Sequence, residues 1–295
     1  MRPIVAGGLA VAAAGLSAAA WATLVEPRWL ETTRFDVELP HLPLAWDGQR
    51  VGFFSDIQIG VPGANLGTVR RAVGELIAAR PAVALLGGDF LYFPQDAERQ
   101  AREASELVRP LVDAGIPTLA VLGNHDYAEP DPEERGRPDP WARAMRAALE
   151  AVGVRVLDNE SAAIERDGAW LYVVGVASQW AEAPGRALAD VPDDAARVVL
   201  LHNPGSFADL PARRAPLAVA GHTHGGQVRP PALGGVYWHT QKADDEPWRS
   251  QGWIDGYGEP GNRLYVNRGI GFSSLPVRFR CRPELTLFSL RRADG

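Results

Sequence analysis

Five short apolar runs in this chain each end in a side chain able to bind a metal ion, and nothing else in the sequence limits the fold as much. Val51-Gly52-Phe53-Phe54 runs into Ser55-Asp56-Ile57-Gln58, and Val83-Ala84-Leu85-Leu86 into Gly87-Gly88-Asp89. Thr118-Leu119-Ala120-Val121-Leu122 leads to Gly123-Asn124-His125-Asp126, and Val198-Val199-Leu200-Leu201 to His202. Leu217-Ala218-Val219-Ala220 enters Gly221-His222-Thr223-His224-Gly225-Gly226-Gln227. Continuous apolar runs of this length between turn signals read as buried strands. In open α/β sheets, ligand sites gather beyond the carboxyl ends of the strands. Two solvated loop histidines would be the ordinary reading of His222 and His224. Four of the six histidines in the chain stand at such strand ends, which argues against it.

Strand and helix alternate through the first half. A lead-in strand spans Arg34 to Leu39, and a helix follows across Gly67 to Ala79 with Asn65 as its cap. A second helix starts near Asp96 and must bend or end near Pro110. A third runs from Pro140 to Ala151, with Asp139 as N-cap and Pro140 at its first position. After Val154–Leu157 the rhythm changes: Ala162–Glu165 and Trp170–Val176 flank Asp167-Gly168, a hairpin signal. Leu264–Asn267 and Leu285–Leu290 add late strands. Many strands, with the helices concentrated early, imply two packed sheets covered by helices. No internal repeat and no linker divides the region.

From Pro3 to Val25 no residue is charged, and Arg2 precedes the run. About 20 apolar residues suffice to cross a bilayer. A cleaved secretory signal and an uncleaved signal anchor both fit residues 1–25, and the length of the run favours the anchor. A buried helix of the folded domain is the third reading. One arginine on the N-terminal side places the remainder outside the cytoplasm, membrane-anchored or exported. Residues 26–49 then form a lead-in segment, and 50–295 the domain that carries the strand-end ligands. A formal net charge of −6 argues against a nucleic-acid partner. The single cysteine, Cys281, excludes an intrachain disulfide and a thiolate cage for zinc. It reads as a packing residue rather than a nucleophile.

The ordered series Asp-x-Gln, Gly-Asp, Gly-Asn-His-Asp, a lone His and Gly-His-Thr-His resembles the calcineurin-like metallophosphoesterase superfamily. The tail, Val266-Asn267-Arg268-Gly269-Ile270-Gly271 and Arg282-Pro283-Glu284-Leu285, is similar to its membrane-anchored bacterial branch of phosphodiesterases and UDP-diacylglucosamine hydrolases. The resemblance implies a four-layer α/β/β/α sandwich, two mixed sheets flanked by helices, with a binuclear metal centre. By position, Asp56, Gln58, Asp89 and His224 would hold one divalent ion. Asp89, Asn124, His202 and His222 would hold the other. A hydroxide bridging the pair would attack phosphorus, since metal binding lowers the pKa of water from about 15.7 towards 7. His125 would stabilise the transition state or protonate the leaving oxygen, with Asp126 orienting it. The implied activity is hydrolysis of a phosphodiester or pyrophosphate, in a small phosphate ester or in a lipid-linked or nucleotide-linked substrate. The alternatives are a phosphomonoesterase or nucleotide phosphatase on the same centre, and a membrane-tethered metal-binding protein that has lost turnover.

Gln58 departs from the pattern, where most members carry His. An amide oxygen is a harder and weaker ligand than imidazole, which biases that site towards Mn²⁺ or Mg²⁺ rather than Zn²⁺; Mn²⁺ leads for the pair, with Fe or Zn²⁺ as alternatives. Three further stretches bear on substrate choice. Glu129–Asp139, rich in proline and acid, reads as a lid or a solvated connection. Tyr237–Arg263 places Trp238, Trp248 and Trp253 where they would touch an acyl chain, a base or the bilayer, or pack the loop. Arg278, Arg280 and Arg282 alternate, so an extended strand would set all three on one side, facing solvent or lipid phosphates, unless one pairs with Glu284.

Overall fold

The structure is a computed structural model that describes residues 12–128, 139–176, 184–229, 236–237 and 250–293. The apolar runs form two six-stranded mixed sheets. The first has the order β1 (Glu31–Leu39), β14 (Glu284–Arg292), β2 (Arg50–Phe54), β3 (Val83–Leu86), β4 (Thr118–Ala120) and β5 (Arg155–Val156). Strands β2 to β5 run parallel, and β14 is antiparallel to β2. The second sheet has the order β12 (Gly252–Ile254), β13 (Leu264–Val266), β9 (Ala218–Ala220), β8 (Arg197–Leu200), β7 (Ala169–Gly175) and β6 (Glu160–Arg166). Its four central strands are parallel, with an antiparallel partner at each edge. A separate two-stranded ribbon pairs β10 (Gln227–Val228) with β11 (Val236–Tyr237).

Burial on both faces explains why these strands read as unbroken apolar runs. Along β2 and β3, Phe53 and Leu85 face the second sheet, meeting a core that holds Val198, Leu200, Val219 and Phe288. Phe54 and Leu86 point the other way, towards α2 (Leu66–Ala79), α3 (Ala97–Asp113) and α4 (Pro140–Ala151). Outside the second sheet, Val199 and Ala218 pack under the short α5 (Pro184–Ala187) and the 3-10 turn Pro204–Asp209. The layers are therefore helix, sheet, sheet, helix, as the sequence implied.

Local chemistry matches at several ends. Asp139 accepts from the backbone N–H of Trp141 and Ala142 to cap α4, and Asp96 accepts from Arg99 to cap α3. Asp167 and Gly168 both adopt positive φ, as a two-residue hairpin of this kind requires. Helix α3 continues through Pro110 to Asp113, because a proline in the last turn removes only one bond close to where the helix ends anyway. Asn65 stands at the N-cap of α2 without capping it: its amide donates to the carbonyls of Pro27 and Ile270 instead.

The N-terminal segment departs from one of the three readings. Residues 12–20 form a helix, α1, followed by the π-helical turn Trp21–Val25, and 12–21 are exposed throughout, so it is not a buried helix of the domain. Among the described residues, no helix is long and apolar enough to cross a membrane. Residues 1–11 of the expected anchor lie outside the described residues, as do 129–138 of the expected lid.

Candidate metal centre

All five ligand-bearing segments leave the carboxyl ends of their strands on the same side of the molecule. Asp56 and Gln58 follow β2, Asp89 follows β3, Asn124 and His125 follow β4, His202 follows β8, and His222 and His224 follow β9. The first sheet thus supplies carboxylates and amides, and the second supplies imidazoles. Asp56, Gln58, Asp89, His222 and His224 all adopt positive φ. That region is unfavourable for residues with a Cβ, by about 1–3 kcal/mol each, and persists only where surrounding structure enforces it. Close backbone approach is part of that enforcement. A Cβ on Gly123 would collide with the Asp89 carboxylate and stand 2.7 Å from His202 Cε1.

Two sets of ligand atoms converge, and Asp89 belongs to both: Asp89 with His202 and His222, and Asp56 with Asp89 and His224. In the first, His202 Nε2 lies 3.3 Å from Asp89 Oδ1, 3.0 Å from Asn124 Oδ1 and 3.2 Å from His222 Nδ1. Four donors held at about 2.0–2.1 Å around one cation in tetrahedral array would be about 3.3 Å apart. In the second, His224 Nε2 lies 3.7 Å from Asp56 Oδ1. Gln58 Nε2 donates to Asp89 Oδ2 at 2.8 Å and sits 3.3 Å from His224 Nε2, while its Oε1 is buried without a partner. A half-turn of that amide exchanges the two ends and would bring an acceptor to the same place. So turned, the amide oxygen would face the buried Asp89 carboxylate and the His224 ring, a cluster of acceptors that a cation would satisfy, and the residues fit a divalent metal pair.

Hydrogen bonds behind the ligands fix their orientation. His202 Nδ1 lies 2.7 Å from the Gly87 carbonyl, which leaves Nε2 facing the site. Asp56 accepts from Ser55 Oγ and, at 3.1 and 3.2 Å, from the His222 backbone. The His125 N–H donates to Asp89 Oδ1 at 2.9 Å. Asp126 does not orient the His125 ring as expected. Its buried carboxylate accepts from Gly123 N and Leu91 N, holding the backbone of the two ligand turns. The His125 ring packs against Tyr92, 4.6 Å between centroids, and Phe93, 5.3 Å. These aromatics follow directly on Gly-Gly-Asp-Phe-Leu, and that position was the available signal for them.

Crowded charge shows in the titration of the centre. Burial, reinforced by the Asp89 charge, pushes Asp56 up to about 7. Burial and then Asp89 push Asp126 up to about 7 as well. Burial would raise Asp89 too, but His202, His125 and His222 together hold it well below the usual carboxylate range. His202 opposes its own burial penalty through Asp89 and rises to about 9. A proton on His202 thus occupies the electrostatic role a cation would take.

Sequence reading missed the support behind Asp56. The Ile270 and Gly271 N–H groups donate to the Ser55 and Asp56 carbonyls at 3.0 and 2.7 Å. Arg278 is fully buried and donates to the carbonyls of Arg268, Gly269, Gly271 and Cys281. Arg278, Arg280 and Arg282 therefore share no face. Arg280 is exposed with positive φ, and Arg282 stacks over Trp29 and pairs with Glu31. Glu284 pairs with Arg268 instead, at 3.1 Å. Cys281 is buried, and burial pushes its thiol up, consistent with packing. Trp253 packs in the aromatic cluster of Phe35, Tyr265 and Phe288, the packing alternative for its loop. Trp238 and Trp248 lie outside the described residues.

Known proteins resemble this chain across the segment that carries these ligands. The family model described as calcineurin-like phosphoesterase matches residues 49–226, from the start of β2 through the His-Thr-His turn. Phosphodiesterase YaeI of Escherichia coli is 31% identical over 228 residues, 76% of each chain. The uncharacterized metallophosphoesterase YkuE of Bacillus subtilis is 26% identical over 97% of this chain and 95% of its own. UDP-2,3-diacylglucosamine pyrophosphatase LpxG of Chlamydia trachomatis is 24% identical, covering 90% of this chain and 91% of its own.

Proposed function

The chain belongs to the calcineurin-like phosphoesterase family, and on that premise we propose that it hydrolyses a phosphodiester or pyrophosphate bond in a lipid-linked substrate. It is a hydrolase of phosphoric esters with Asp and His side chains placed for divalent metals. The observation that carries the reading is one carboxylate, Asp89, common to two converging ligand sets. Asp56, Gln58, Asp89 and His224 would hold one ion, and Asp89, Asn124, His202 and His222 the other. When bound, such a pair neutralises phosphoryl oxygens and lowers the pKa of water to about 7.

The protein's own residues do the rest. Asp89 fixes the two sites relative to each other, and the His125 N–H fixes Asp89. His125, half-buried at the mouth against Tyr92, donates a proton to the leaving oxygen. Asp126 keeps the Asn124-His125 turn in register with the Asp89 turn. Gln58 makes its ion site rich in oxygen, which biases it towards Mn²⁺. The lipid-linked substrate is supported by the chlamydial relative, a UDP-2,3-diacylglucosamine pyrophosphatase, and by the uncharged N-terminal run. That run tethers the catalytic domain on the outer side of a membrane.

The test compares a chromogenic phosphodiester with the matching monoester, in Mn²⁺, in Zn²⁺ and in chelator, for the wild type and Asp89→Asn. Diester turnover that requires metal and vanishes in the variant is expected. Monoester preference, or full metal loading without hydrolysis of either ester, would contradict the reading.

A further inference from the structure

Six of the nine exposed large hydrophobic side chains of the described residues, Trp21, Leu24, Val25, Trp29, Phe93 and Leu275, gather at the end of the molecule that carries the ligand cluster. Phe93 is 52% exposed and lies against His125, and Leu275 is 45% exposed. Their loops are joined, since Tyr92 Oη and Ser274 Oγ are 2.8 Å apart. Gln227, which closes the His-Thr-His turn, donates to the carbonyls of Ser273 and Leu275 at 3.1 and 2.9 Å. Three residues further on, the Arg278 N–H donates to the Ala22 carbonyl at 2.8 Å. This ties the rim of the site to the end of the N-terminal helix. There Trp21 is 41%, Leu24 62% and Trp29 49% exposed. Of the other three, Leu16 lies further back along the N-terminal helix, and Leu44 and Trp170 sit near the starts of the strands, far from the ligands.

The acids among these side chains are engaged, Glu26 by Trp21 and Glu31 by Arg268 and Arg282, which leaves basic groups on the surface. Arg28, Arg71 and Arg280 are exposed, and Arg282 lies over the Trp29 ring at 4.3 Å. Tryptophan and arginine at the end of an apolar helix are the residues that settle at a membrane–water interface. The run from Pro3 to Val25 leads into this patch without a charge. Anionic headgroups complement the exposed arginines and apolar tails the side chains between them.

We propose that this end of the molecule is a bilayer-docking surface. Phe93 and Leu275 enter an anionic membrane beside the helix end, so the metal centre opens onto the headgroup layer. The phosphoryl group of an amphiphile then reaches the ligands while its acyl chains stay in the bilayer. The inference rests on the lipid-linked reading of the substrate and assigns the surface that would present it.

The full-length protein, reconstituted in phosphatidylglycerol-containing vesicles, tests it. An environment-sensitive fluorophore is placed at Leu275→Cys and, as control, at Trp170→Cys; Cys281 is buried and stays unlabelled. Interfacial side chains sit about 5–10 Å into the headgroup and acyl boundary, so lipids brominated high on the acyl chain should quench position 275 and spare 170. Equal quenching at both positions, or protection at 275 only through self-association of the chain without lipid, would overturn the proposal. Turnover of a soluble diester is measured on the same samples. Its loss with quenching intact would count against the phosphoesterase reading and leave the docking surface standing.

Discussion

The two sheets make unlike contributions to one site. The first sheet brings Asp56, Gln58, Asp89 and Asn124, an oxygen-rich and anionic half, while the second brings His202, His222 and His224. Neither half contains a complete ligand set, and every inter-ligand distance between them depends on how the sheets pack. The shared core of Phe53, Leu85, Val198, Leu200 and Phe288 is therefore part of the functional apparatus. Binding and folding are coupled through it.

The comparison breaks hardest at Asp89, where the halves meet. Asp89→Asn should lower diester turnover by about 10³-fold or more, since the pair contributes several kcal/mol of charge stabilisation; steady-state rates at saturating Mn²⁺ check this. Leu85→Ala, one strand's length from Asp89, should cost about 2–5 kcal/mol of stability by leaving a cavity between the sheets. Metal affinity should weaken with it, which denaturant titration and calorimetry would separate.

Titration sharpens the contrast between the anionic and imidazole halves. Folded, Asp56 and Asp126 keep their protons up to about pH 7, against 3.8 for an ordinary Asp. His202 keeps its own up to about 9, against 6.5. The native state thus binds more protons than the unfolded chain across this span, so stability falls as pH rises through it. Asp89, held low, acts in the opposite sense only at the acid end. The chelated protein should lose Tm steadily from pH 5 to 9, and Mn²⁺ should flatten the curve. The smallest effect belongs to the hairpin at the remote end. Gly168→Ala, at φ +77 in open space, should cost about 1 kcal/mol and leave metal binding unchanged.

The ligand ends of the strands were legible because two-sided burial writes an unbroken apolar run, and the ligand stands where the run stops. The α4 cap and the Asp167-Gly168 hairpin were legible for the same local reason. What was hidden depends on contacts distant in sequence. Arginine alternation at 278–282 suggested one exposed face, yet Arg278 is spent on carbonyls of a loop that supports Asp56. Asn65 looked like a cap and instead ties Pro27 to Ile270. Positive φ at five ligands has no sequence signature, since Asp, Gln and His occur throughout allowed conformations. The strands β10, β11 and β12 are only two or three residues long, too short to show a period.

The central claim is one carboxylate serving two ion sites between two sheets. Metal content by mass spectrometry, with electron paramagnetic resonance of the Mn²⁺-loaded protein, tests it most directly. The account predicts two ions per wild-type chain with a spin-coupled signal, and loss of the coupling in Asp89→Asn. One ion per chain at saturation, or a coupled pair that survives Asp89→Asn, would contradict it.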